Sequence, residues 1–198
     1  MQTAHLSSHP VPKRCSWVNM KNPLYIQYHD TQWGVPEHSD ATLFEMLVLE
    51  CFQAGLSWEC VLNKREHFHE AFDSFDVEKI ANYDEAKTRQ LLANPNIIRN
   101  RLKIAATIAN SRIFMAIQRE FGSFDAYIWD FTNRQTIVEA CDTRSTSPLS
   151  DQISKDLKKR GMKFVGSTVI YAYLQAIGII NGHEKQCAWH VERRQKIV

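Results

Sequence analysis

One stretch limits this chain more than any other: LFEMLVLECFQAG, from Leu43 to Gly55. Almost every residue in it suits a protein core. Asp40 reads as an N-cap, and Gly55 as the residue that stops a helix running from about Ala41 to Ala54. With 198 residues, the chain can build a real core as one sizeable domain or two small ones. Glu50 breaks the pattern. On that helix it shares a face with Leu43, Met46, Leu47 and Ala54, so it points where the core residues point. Burying an unpaired carboxylate is expensive. Either a cation such as Arg99 or Arg101 crosses the core to pair with it, or the carboxylate belongs to a site.

The rest of the pattern is helical. Ser57 caps a second helix through Trp58, Val61, Leu62, Phe68 and Phe72, an i, i+3, i+4 series. Asp76 and Asp84 each start a short helix. NIIRNRLKIAATIANSRIFMAIQREF carries a stripe of Ile97, Ile98, Leu102, Ala105, Ile108, Ala109 and Ile113, and Gly122 ends it. Ser123 opens a short aromatic helix to Phe131. A Ser/Thr-rich loop leads to helices from Ser150 to Arg160 and from Ser167 to Ile177, stopped by Gly161 and Gly178. The segment 14–39 reads as irregular but packed. No alternating strand pattern appears, so the expected fold is all-α, arranged as two lobes.

The apolar share of 44% and the charged share of 23% are those of an ordinary soluble globular protein. No apolar run reaches the length of a bilayer span, and the N-terminus lacks a secretory h-region. The five cysteines are odd in number and form no CxxC, which argues against a disulfide framework and for a reducing compartment. The expected location is the cytoplasm. Residues 1–13 read as a disordered extension, 14–190 as a single helical domain and 191–198 as a basic tail.

LSDQISKDLKKRGMKFVGSTVIYAYLQAIG has the layout of a helix-hairpin-helix at about 150–178. Gly161 and Gly166 at its corners permit positive φ and close approach by another molecule. The first amides of the second helix, Gly166, Ser167 and Thr168, form a phosphate site. Lys158, Lys159, Arg160 and Lys163 add positive charge, a combination that holds DNA without reading its sequence. An ordinary αα-hairpin capped by glycines has the same spacing, and the net charge of +2 does not decide between them.

Two cysteine–histidine pairs stand at the ends of the chain: Cys15 with His29, and His183 with Cys187. Two thiolates and two imidazoles would make a closed tetrahedral zinc site, structural rather than catalytic, tying the ends together. The spacings match no tight finger pattern, and His38 and His190 are spare candidates. Around Glu50 the sequence supplies Trp17, Tyr25, Tyr28, Trp33 and Trp58. Rings with one carboxylate at their end suit a flat, cationic heteroaromatic guest.

Together these pieces resemble the DNA-3-methyladenine glycosylase I family, within the helix-hairpin-helix glycosylases. The matching stretches are RCSWV, NPLYIQYHDTQWGVP, LFEMLVLECFQAGLSWECVLNKRE, NIIRNRLKI, LKKRGMKFVGSTVIY and GHEKQC, in order from Arg14 to Cys187. The resemblance implies a two-lobed helical fold and one structural zinc on Cys15, His29, His183 and Cys187. It also implies a lesion pocket with Glu50, Tyr28 and Trp58, for which Trp17, Tyr25 and Trp33 look like further lining. The implied partner is double-stranded alkylated DNA, engaged by a monomer through Gly161, Lys163, Gly166, Ser167 and Thr168. The implied reaction is hydrolytic release of 3-methyladenine, with Glu50 the catalytic group and no strand cleavage, since no lysine stands out as a Schiff-base nucleophile. Cys51 and Phe52 are larger than expected beside a pocket glutamate. The alternative is a non-catalytic helix-hairpin-helix DNA-binding module with Glu50 paired in its core. A glycosylase for another lesion would need an Asp or Lys beyond the hairpin, where only Glu184 and Lys185 stand.

Overall fold

The computed structural model describes residues 12–139 and 144–190. The expected N-terminal extension, up to residue 11, and the tail 191–198 lie outside the described residues. Ten α-helices are described, each opened by local chemistry where the sequence supplies it. Helix α1 (Pro23–Thr31) begins at a proline, capped by the Asn22 side chain. It corrects the expectation of an irregular segment. The apolar α2 spans Asp40–Gln53 and is buried from Leu43 to Phe52 apart from Glu45. Gly55, at φ +83°, turns the chain after it as expected.

The single helix expected after Ser57 is two: α3 (Trp58–Leu62) and α4 (Arg65–Ala71), parted at Asn63 and Lys64. Asp76 caps α5 (Val77–Ala81), Asp84 caps α6 (Glu85–Ala93) and Asn100 caps the long α7 (Arg101–Phe121). Ser123 caps α8 (Phe124–Asp130). A two-residue strand β1 (Ile137–Val138) pairs in parallel with β2 (Ile180–Asn181), a short ladder that no alternation announced. Between them, α9 (Pro148–Lys159) starts from a Ser147–Ser150 capping box, slightly before the expected Ser150, and α10 (Ser167–Ala176) follows the hairpin.

Helix α2 packs against α10, α7 and α8. One continuous core joins its residues to Phe68, Phe72, Phe114, Phe124, Trp129 and Tyr173. Asp40 does not cap its own helix, whose N-cap is Ser39. Its carboxylate instead accepts from the Phe124 and Asp125 amides at 2.9 and 2.8 Å, capping α8 from the start of another helix. The stripe expected on α7 is rotated. Leu102 is 70% exposed, whereas Lys103, Ile104, Ala106, Thr107, Asn110, Ser111, Phe114 and Ile117 are buried. Lys103 and Asn110 serve carbonyls of neighbouring elements, and Thr107 and Ser111 donate to carbonyls of α7 itself, none of which hydrophobic counting registers. Among the described residues no helix is long and apolar enough to cross a membrane.

Candidate functional site

A cavity of about 260 Å³ opens where α1, α2, α3 and α10 meet. Tyr25 and Tyr28 reach it from one face of α1, with Trp17 before that helix and Trp33 after it. Glu50 and Gln53 come from α2 and Trp58 from the first residue of α3. All five rings named from the sequence line it together with Glu50. Tyr28 and Trp58 lie 5.0 Å apart, Trp17 and Tyr25 5.5 Å, and Trp17 and Trp33 4.8 Å, tilted or edge-on to one another.

Glu50 is 3% exposed, and its Oε2 has no hydrogen-bond partner. The indole Nε1 of Trp58, also buried, has none either. Arg99 and Arg101 are both exposed, so the pairing alternative fails. Burial pushes the Glu50 carboxyl up to about 8. Burial, with Glu50 nearby, also holds the Tyr28 phenol well above its usual range. The cavity thus presents one acceptor and one donor, each costly to leave unmet, between flat apolar walls. A planar guest carrying both hydrogen-bonding roles and a positive charge would satisfy all three. Cys51 and Phe52 do not narrow the cavity. Cys51 faces the hairpin, its thiol donating to the Phe164 carbonyl at 3.4 Å. Phe52 packs against Phe68 and Phe72.

The hairpin turn is pinned from three sides. Asn110 of α7 donates to the Lys163 carbonyl at 2.9 Å and accepts from its amide at 2.8 Å. Ser154 donates to the Val165 carbonyl at 2.7 Å, and Cys51 holds Phe164. Gly161 takes φ +100°, as its corner requires. Gly166 corrects the expectation: its φ is −62°, and Phe164 is the second left-handed residue. A Cβ at 166 would meet nothing within 4 Å, so neither φ nor space inside the protein demands glycine there. No side chain caps α10, which leaves the first amides around Gly166, Ser167 and Thr168 facing open space beside exposed Lys163. Arg160 belongs to a different network. It pairs with Asp156 and Glu120 at 2.8 and 2.7 Å and lies over the Phe121 and Tyr127 rings.

Behind the cavity, the ligand atoms of Cys15, His29 and Cys187 lie within 4.8 Å of one another, all buried. His29 Nδ1 lies 2.8 Å from Asp30, which Arg14 grips through three contacts of 2.6 to 2.9 Å. That carboxylate fixes the tautomer with Nε2 as the lone-pair nitrogen, and Nε2 stands 3.5 Å from Cys187 Sγ. The contact between the two sulfurs, with His29 nearby, holds Cys187 low, while that contact and burial push Cys15 up. This donor set fits a metal ion. His183 falls outside the tight group, although its ring centroid is 5.1 Å from that of His29 and Asn181 lies 3.1 Å from its Nδ1. The spare candidates stand elsewhere: His38 pairs with Asp125, and His190 is buried outside the cluster.

Gln53, Arg144, Ala172 and Gln175 also line the cavity and were missed. Gln175 had a signal: it is a polar residue in the apolar run of α10, three positions after Ala172. Its amide occupies the space a Cβ on Gly182 would fill, at 2.6 Å. Arg144, in the link from β1 to α9, had none.

A family model described as methyladenine glycosylase matches residues 17–190. DNA-3-methyladenine glycosylase 1 of Escherichia coli is 45% identical over 179 residues, covering 88% of this chain and 95% of that one. A crystal structure of a 3-methyladenine DNA glycosylase I superposes with a TM-score of 0.86 at 44% identity, covering 90% of this chain and 100% of the other. A variant of such an enzyme in complex with 3-methyladenine superposes with a TM-score of 0.84 at 32% identity, covering 88% and 95%.

Proposed function

The chain belongs to the methyladenine glycosylase family, and from that premise we propose that it extrudes 3-methyladenine from alkylated double-stranded DNA and releases it hydrolytically, leaving an abasic site. The observation that carries this reading is the buried Glu50, with an unpartnered oxygen, in a cavity walled by aromatic rings. N3-methylation makes the base cationic while it is attached to the sugar. Extrusion costs a few kcal/mol, least for a damaged base. Inside the cavity Tyr28, Trp58 and the other rings face the π surface, and the Glu50 carboxylate takes a proton donor from the base and offsets its charge. Neutral adenine offers an amine without that charge, so it would leave the ionised carboxylate uncompensated and bind poorly.

The base leaves as a neutral molecule, so the departing group needs no strong acid. Water adds at C1′, the glycosidic electron pair goes to the base nitrogen, and the water loses a proton. With no covalent amine intermediate, no strand break follows. The hairpin's open amides at Gly166, Ser167 and Thr168, with Lys163 and the Gly161 corner, hold the phosphates. We further infer that the Cys15, His29 and Cys187 cluster, completed by His183, binds one structural zinc that fastens the ends of a two-lobed helix-hairpin-helix domain over residues 14–190. The protein acts as a monomer in the cytoplasm.

Incubation with methylated duplex DNA tests the reaction: free 3-methyladenine and alkali-labile abasic sites are expected without direct strand breaks. Replacing Glu50→Gln removes one charge-assisted interaction and lowers release by about 10- to 100-fold while the fold persists. Release equal to wild type from that variant would remove Glu50 from the reaction. DNA binding with no base released would favour the non-catalytic module.

A further inference from the structure

Gln175 lines the cavity beside Glu50, yet the reaction as drawn gives it no part. It lies on α10, one turn beyond Ala172. Its main chain is fixed to the aromatic wall, since its carbonyl accepts from the Gly34 amide, next to Trp33, at 2.9 Å. Room is kept for its side chain. A Cβ on Gly182 would stand 2.6 Å from Gln175 Nε2 and 3.5 Å from the Trp33 ring, and Gly182 is not left-handed. Glycine there supplies space, and the carboxamide fills it. Among the described residues that carboxamide makes no hydrogen bond. It therefore offers the cavity an acceptor and a donor side by side. The helix directions set its depth. Cys51, late in α2, meets Phe164 of the hairpin, whereas the Tyr173 hydroxyl donates to the carbonyl of Leu43, early in α2, at 3.1 Å. Helix α10 thus runs antiparallel to α2 and away from the hairpin. At about 1.5 Å per residue, Gln175 stands about 10 Å along the axis from Thr168 and about 4.5 Å past Ala172. A nucleotide whose phosphate rests on the hairpin amides keeps its sugar near them and sends its base deeper. The purine edge opposite the glycosidic bond then points toward Gln175. In 3-methyladenine that edge carries the exocyclic amine, a donor, beside ring nitrogen N1, an acceptor.

We propose that Gln175 reads the far edge of the extruded base, its amide oxygen accepting from the exocyclic amine and its amide nitrogen donating to N1. A carboxamide is suited to this, because it can bond an adenine edge bidentately and flipped bases are read on that edge. The amine's second hydrogen is left for Glu50. The proposal deepens the base-extrusion reading and rests on it. The buried, unpartnered Glu50 oxygen marks the cavity as a place where a ligand belongs.

Wild type, Gln175→Met and Gln175→Leu are compared on two free bases by tryptophan fluorescence. One is 3-methyladenine and the other its 1-deaza analogue, in which C–H replaces N1. Wild type binds the analogue about tenfold more weakly, because the amide donor is left unmet. The Met variant, similar in length but without the amide, binds 3-methyladenine about tenfold more weakly than wild type and binds the two bases alike within about twofold. The Leu variant gives the same ratio, and thermal unfolding of each checks that the fold is intact. If the variants weaken both bases equally and keep the preference, Gln175 acts by shape alone and the proposal falls. It falls too if wild type binds the two bases alike. Should wild type release no base from methylated DNA, the excision reading fails separately, and the ratio of the two free-base affinities still reports on Gln175.

Discussion

Ionising Glu50 in the empty cavity is uphill, because burial raises its carboxyl to about 8. A cationic guest reverses that balance, since the ionised form then has a partner. Below about pH 8 the free protein holds Glu50 largely neutral, so kcat/KM for release of 3-methyladenine should rise about tenfold per pH unit and level off above about 8. A profile flat from pH 6 to 9 would contradict this. The same shift acts on stability with the opposite sign. The folded pKa exceeds the ordinary 4.5, so the folded state binds the extra proton, and stability falls as pH rises from about 4.5 through about 8. Glu50→Gln should therefore unfold at higher denaturant than wild type at pH 9, by a few kcal/mol, with little difference at pH 4. At this scale the carboxylate and its five rings were legible because each is an unusual residue type in its local setting. Arg144 was not, since nothing near it in the chain marks a loop arginine as part of a cavity.

Helix α7 shows what periodicity leaves out. Its inward face carries Lys103, 6% exposed, whose ammonium donates to the Phe52 and Ala54 carbonyls at 2.7 and 2.6 Å. These carbonyls end α2, so a cation there also meets the negative end of the helix dipole. About two turns further along α7, Asn110 pins the hairpin. The long helix thus fixes both the turn after Glu50 and the loop before α10, and polar residues had to face inward to do so. Lys103→Met is expected to leave two carbonyls unmet and cost about 2–4 kcal/mol, read by urea unfolding, with base release falling as the Gln53–Trp58 turn loosens. Lys103→Arg, able to donate to the same oxygens, should recover part of both. The break between α3 and α4 was equally hidden, because the apolar series continues through it.

At the scale of the molecule, the first and last described segments meet behind the cavity. Ser16 donates its amide to Glu184 at 2.8 Å, and Ala188 donates to the Lys13 carbonyl at 2.8 Å, on either side of the Cys15, His29 and Cys187 group. Trp17 and Trp33 line the cavity and also pack on this knot. A metal there closes a long loop, so it acts chiefly on the unfolded state. Cys187→Ser should lose bound zinc and lower Tm by roughly 10 °C, while affecting the chemical step less. A wild-type preparation free of metal and of full stability would exclude the zinc. Local chemistry written in the sequence determined the order of the helices, most of their caps, and the carboxylate, rings, cysteines and histidines of the sites, because periodicity and capping act within a few residues. Only packing decided which face of α7 turns inward, that Asp40 caps α8, that Arg144 lines the cavity, and that His183 stands slightly apart from Cys15, His29 and Cys187. Those outcomes depend on partners distant in sequence, whose interaction energies exist only once the helices have docked.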